Sequence, residues 1–231
     1  MKQLLLVLGL LSAIASQATL AADPPAPPPA GSGAASGSNA AAGTAAAAAA
    51  GAAKSADAAP ANTMPATVLV RVVTSMGNFT IELLQERAPL TVAHFLKYVD
   101  QGYYAGTIFH RVIPNFIVQG GGFDADYKLK GNTTKVFNES GNGMTNQRGT
   151  VGFARPAEPH GGDVQFYVNL FDNATLDPNQ TRWGYAVFGK IVQGMDVVDR
   201  IGNVATGAKG PFKEDAPLQP VVIERIERVN P

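Results

Sequence analysis

The chain has 231 residues, with 18 basic side chains against 18 acidic ones and a formal net charge of zero. That balance gives no pull toward nucleic acid or an anionic surface. The absence of cysteine excludes disulfides, thiolate zinc sites and a thiol nucleophile, and His94, His110 and His160 show no ligand spacing.

The opening stretch, MKQLLLVLGLLSAIASQATLAAD, has one early lysine, an apolar run too short to span a bilayer comfortably, and small residues after it. Residues 1–22 are therefore expected to be a cleaved secretory signal, cut between Ala18 and Ala22. An uncleaved anchor is the competing reading, disfavoured by Gly9, Ser12 and Ser16 within the run and by the lack of a basic stop-transfer cluster. Residues 23–66 collapse to Ala, Gly, Pro and Ser, as in PPAPPPAGSG and the alanine runs broken by Gly43, Gly51 and Pro60. With no large apolar side chains to offset the entropy of ordering, this stretch is expected to be a disordered linker. Residues 67–231 are left as one domain of ordinary size.

Within that domain, ATVLVRVVT (66–74) and NFTIELL (78–84) are β-branched apolar runs separated by SMG, a hairpin signal. In APLTVAHFLKYVDQG, Val92, Phe95, Leu96 and Val99 recur at helical spacing, Pro89 suits a first turn and Gly102 suits the stop. Further strands are expected over 108–113, 116–120, 150–154, 164–169, 185–191 and 220–229, and a second helix from about Met195 to Ile201. Many short strands, two helices and no βα alternation point to a closed antiparallel barrel with helices over its ends; a sandwich is the competing fold. The triplet Gly120 to Gly122 reads as a tight turn.

Polar residues inside the apolar strands carry the functional signal. In TIFHRVIPNFIVQGG (107–121), alternation places Arg111 with Phe109 and Ile113, Gln119 with Ile117, and His110 on the opposite strand face. In DVQFYVNL (163–170) it places Gln165 and Tyr167 on one face, with Phe166 and Val168 on the other. A guanidinium and two amides in such surroundings are costly unless paired. Either Arg111 meets a carboxylate at a barrel rim while the glutamines serve loop backbone, or the three converge on one apolar cleft. His160 opens HGG, but with no GxSxG to supply a serine a hydrolase is not expected.

FHRVIPNFIVQGG, followed by RGTVGFAR, VQFYVN and YAVFGKIVQGMDVVD, resembles the cyclophilins, peptidyl-prolyl cis-trans isomerases, over residues 67–230. Arg155 after Phe153 and Ala154, and Tyr185 opening YAVFGK, look like the bacterial periplasmic branch. The resemblance implies a mostly β fold, a closed eight-stranded antiparallel barrel capped by two α-helices. It makes Arg111 the catalytic arginine, braced by Gln119. Phe116, Ile117, Tyr167 and Leu176 would wall the proline pocket, Gln119 and Gln165 would hold substrate backbone, Ala154 and Arg155 would line the adjoining groove, and Tyr185 would stand where eukaryotic members have histidine. Ile117, Tyr167 and Thr175 replace the methionine, phenylalanine and tryptophan of other members, which bears on inhibitor binding and substrate preference. The expected function is isomerisation of X-Pro bonds in exported proteins, assisting their folding in the periplasm. It would proceed without cofactor or metal, as a monomer free of the membrane after cleavage, on proline segments of unfolded or flexible clients. A binding module or chaperone that keeps the groove without catalysis is the alternative.

Overall fold

The computed structural model describes residues 68–131 and 133–229; the expected signal and the expected linker lie outside them. Strands β1 (Val68–Thr74) and β2 (Gly77–Leu83) form a hairpin with Gly77 at φ 122. Helix α1 (Pro89–Asp100) follows, started by Pro89 and capped from a distance, because the Glu139 carboxylate accepts from the backbone N–H groups of Leu90 and Thr91 at 3.1 and 2.7 Å. Gly102 ends it in the left-handed region, φ 65, with Tyr103 N–H returning to the Tyr98 carbonyl and Gly102 N–H to that of Val99.

Strands β3 (Thr107–Ile113), β4 (Ile117–Asp124), β5 (Thr150–Phe153), β6 (Phe166–Asn169) and β7 (Val187–Gln193) precede helix α2 (Met195–Gly202). A hairpin of β8 (Thr206–Lys209) and β9 (Phe212–Pro217) then leads into β10 (Val221–Val229). Eight strands close an antiparallel barrel in the order β1, β10, β3, β4, β6, β5, β7, β2. Both helices feed its interior: Val92, Phe95, Leu96 and Val99 from α1 and Val197, Val198 and Ile201 from α2 join Phe79, Phe109, Phe166 and Phe188 in one core.

Three expectations are corrected. The glycine triplet is not a turn but the middle of β4, where the chain must pass close to its neighbours. A Cβ at Gly120 would lie 2.7 Å from the Phe109 ring, and one at Gly122 would lie 2.6 Å from Gln165 Cγ. The β8–β9 hairpin was not expected, because TGAKGPFKEDAP has no period and carries Gly and Pro as a loop would. Finally, β3 is bulged: Phe109 faces Gly120 while Arg111 faces Gln119, so two steps on β3 match one on β4. The bulge breaks alternation, and Phe109 points into the interior core while Arg111 does not share its face.

Candidate active site

The register across the barrel wall sets the site. Arg111 on β3 stands opposite Gln119 on β4, Gln119 opposite Tyr167 on β6, and Tyr167 opposite Gly152 on β5. The next row carries Ile113, Ile117 and Asn169. The residues that alternate with these, Val112, Val118, Phe166 and Val168, belong to the interior core. The rows therefore lie on the outer face of the wall.

There Phe116, Ile117, Ala154, Tyr167, Leu176 and Tyr185 form a separate apolar cluster, with Ile113 packed against it. Loop chemistry delivers its outlying members. A 3-10 turn at Ala174–Leu176 carries Leu176, whose carbonyl accepts from Tyr185 N–H at 2.9 Å. Asn173 Nδ2 donates to the Phe116 carbonyl at 2.9 Å and ties that turn to the β3–β4 loop, where Asn115 adopts φ 59. Gly152 makes room for the Tyr167 ring, since a Cβ there would fall 2.2 Å from its Cζ.

Arg111 and the two glutamines border this cluster, and all three are buried. Gln119 Nε2 donates to Gln165 Oε1 at 3.3 Å, whereas Gln119 Oε1 has no hydrogen-bond partner. The expected brace through that oxygen is thus absent. The guanidinium instead meets a carboxylate: Arg111 Nε lies 3.8 Å from Asp215 Oδ2 on β9. The two readings left open for Arg111 are combined here, as it borders the apolar cluster and also has an acidic neighbour.

His110 is corrected as well. Because of the bulge its ring goes under the β8–β9 hairpin, stacked on Phe212 at 5.2 Å and against Phe123 at 4.6 Å. Burial, with the nearby Arg111 charge, lowers its pKa to about 3, so it is neutral at physiological pH. Arg155 borders a small pocket with Phe137, Phe153 and Pro159. Its donors go to the carbonyls of Gly184, Pro156, Ala157 and Trp183, and its guanidinium lies 4.6 Å over the Tyr185 ring, so it clamps the loop that presents Tyr185. Trp183 packs against Phe137 and His160.

Beneath the cluster is a polar network that sequence reasoning missed. Tyr167 Oη donates to Asn146 Oδ1 at 2.6 Å, Asn146 Nδ2 donates to Asp177 Oδ1 at 2.8 Å, and Asn169 Nδ2 donates to Asn146 Oδ1 at 3.2 Å. The buried phenol is thereby satisfied, and burial, with Tyr185 and Asp177 nearby, raises its pKa well above the usual range. Asn146 lies in the loop GNGMTNQRG, where no periodicity marks it. Among the described residues no three His, Asp or Glu side chains gather to hold a metal.

Comparison with known proteins agrees with this architecture. The family model for cyclophilin type peptidyl-prolyl cis-trans isomerase/CLD matches residues 69–228. The chain is 46% identical over 172 residues to peptidyl-prolyl cis-trans isomerase A of Dickeya dadantii, covering 74% of this chain and 90% of that one. It is 43% identical over 161 residues to peptidyl-prolyl cis-trans isomerase B of Escherichia coli, covering 68% and 98%. Among solved structures, a Cryptosporidium parvum cyclophilin type peptidyl-prolyl cis-trans isomerase superposes with a TM-score of 0.59 at 24% identity, covering 71% of this chain and 99% of that one. With its family model spanning nearly the whole barrel domain and its relatives matched over most of their length, this chain belongs to the cyclophilin type peptidyl-prolyl cis-trans isomerase family.

Proposed function

We propose that this chain is a peptidyl-prolyl cis-trans isomerase whose outer-face cluster binds the proline ring and whose Arg111 stabilises the twisted peptide bond. The observation that carries this reading is the row Arg111, Gln119, Tyr167 laid across β3, β4 and β6 beside an apolar cluster that is not part of the interior core. An X-Pro bond rotates over a barrier of roughly 20 kcal/mol because amide resonance is lost at the midpoint. No bond breaks, so the chemistry asks for no nucleophile. At the midpoint the prolyl nitrogen becomes pyramidal and regains a lone pair, and a fixed cationic donor binds that state better than the planar amide. Arg111, 7% exposed and permanently charged, is that donor. Lowering the barrier by about 6 kcal/mol speeds rotation roughly 10⁴-fold.

The apolar cluster clamps the ring on one side of the bond. Gln119 Oε1, unpaired in the protein, accepts from a substrate N–H, and Gln165 holds Gln119 in place through their shared hydrogen bond. Ala154 closes the cluster at β5. The signal-like residues 1–22 and the linker composition of 23–66 support export, with the periplasm as the working compartment and extended proline segments of exported proteins as clients. A protease-coupled assay on an Ala-Pro tetrapeptide tests the activity: acceleration at nanomolar to micromolar enzyme is expected, and none at micromolar enzyme would favour the binding module. Fractionation of the producing cells tests the compartment, since recovery of a full-length chain from the cytoplasm would contradict export.

A further inference from the structure

We propose that Asp215 is a positioning residue that holds the Arg111 guanidinium in its working orientation. This rests on the reading of Arg111 as the catalytic group. Asp215 Oδ2 approaches Arg111 Nε at 3.8 Å, with the two side chains 29% and 8% exposed. Contact at Nε restrains the guanidinium from the β9 side.

The backbone around Asp215 is built to aim it. Its φ is 63, and only three described non-glycine residues have positive φ. Aspartate tolerates that region better than most residues, and such conformations persist where the surroundings over-determine them. Here they do. Ala216 is fully buried and the Phe212 ring stacks on His110, while Tyr127 Oη donates to the Pro217 carbonyl at 2.6 Å. Between those anchors the β8–β9 ladder is irregular: Gly207 pairs with Ala216 and Lys209 with Phe212, so two steps on β8 face four on β9. Bulges of this kind re-aim side chains beside active sites. Asp215 sits in the bulge.

The carboxylate matters while it is ionised. Burial raises its pKa above the usual carboxylate range, Arg111 pulls it back down, and Glu214 on the same strand pushes it up. Lys209 on β8 is turned to the Leu218 carbonyl at 2.6 Å, and His110 beside Arg111 is neutral. As pH falls through that titration the guanidinium loses its anchor and the rate drops.

The test compares kcat/KM from pH 4 to 8 for wild type, Asp215→Asn, Asp215→Gly and Arg111→Ala, with the Arg111 Nε–Hε NMR signal followed over the same range. Asn keeps the shape and tolerates positive φ, whereas Gly removes the side chain without strain and guards against a misfolded variant. Loss of positioning is expected to cost roughly 10-fold in kcat with little change in KM in both Asp215 variants. The wild-type acid limb should vanish in both, and the Arg111 signal should titrate in wild type only. Asp215 variants within twofold of wild type at every pH, beside an inactive Arg111→Ala, would overturn the positioning role alone. A near-normal Arg111→Ala would overturn the reading of Arg111 itself, and the NMR titration would then report only whether the two groups interact.

Discussion

Inside the barrel, Phe95, Phe109, Phe166 and Phe188 are fully buried and meet ring to ring, with Phe95 centred 5.6 Å from Phe166 and 5.2 Å from Phe188. On the outer face of the same wall, six apolar side chains are equally buried but share their neighbourhood with a guanidinium, two amides and a carboxylate, one amide oxygen unpaired. One strand supplies both faces: β6 gives Phe166 and Val168 inward and Tyr167 outward. A chain under pressure for stability alone would not bury polar groups on the second face, since each costs free energy unless paired. The interior is arranged to hold the fold, and the outer face to meet a ligand.

The largest effect should separate the two faces. Phe95→Ala empties an interior site and should cost about 3–5 kcal/mol in a urea melt, while the folded fraction keeps its isomerase rate. A rate that falls with stability intact would dissolve the distinction. The next effect concerns the seam under the β8–β9 hairpin. The folded pKa of His110, about 3, lies far below the unfolded value near 6.5, so the unfolded chain binds the extra proton first. Stability from His110 is complete above about pH 6.5 and is lost as pH falls toward 3, by about 3 kcal/mol between pH 7 and pH 4. Urea melts should give a shallower acid slope for His110→Gln than for wild type; parallel slopes would remove His110 from the account.

A smaller effect lies at the rim. The resembling eukaryotic members, which cyclosporin inhibits, carry a tryptophan where this chain has Thr175, and the Trp183 ring here packs against Phe137 and His160, so the drug should lack an indole contact worth about 2 kcal/mol and inhibition should need micromolar drug. Nanomolar inhibition would contradict this. The smallest effect is Tyr167→Phe. It removes one hydrogen bond but leaves the ring, and Asn146 Oδ1 still accepts from Asn169, so about 1 kcal/mol of stability should go with little change in rate.

What the sequence disclosed follows from what each feature depends on. Helix α1 was legible because Val92, Phe95, Leu96 and Val99 repeat with the helix period and Gly102 marks the stop, while its cap came from Glu139, far along the chain. Tyr167 was correctly separated from Phe166 because β6 is regular, and Gln165, just before that strand, meets Gln119. Arg111 was rightly grouped with Ile113 but wrongly with Phe109, because a bulge has no reliable mark in TIFHRVI. The resemblance gathered the cluster residues from loops no periodicity could join. It gave no hint of Asp215, whose approach to Arg111 depends on the aperiodic hairpin.

The central claim is that Arg111 serves the reaction rather than the fold, and Arg111→Ala tests it most directly, with kcat/KM by NMR exchange and a urea melt on the same sample. Removing one preorganised charged donor should lower the rate about 10²- to 10³-fold. The loss of stability from the Asp215 contact should be small beside the loss of rate, because that carboxylate is 29% exposed and solvent can hydrate it. A variant that melts several kcal/mol lower while its folded fraction turns over at the wild-type rate would make Arg111 a structural residue and contradict the account.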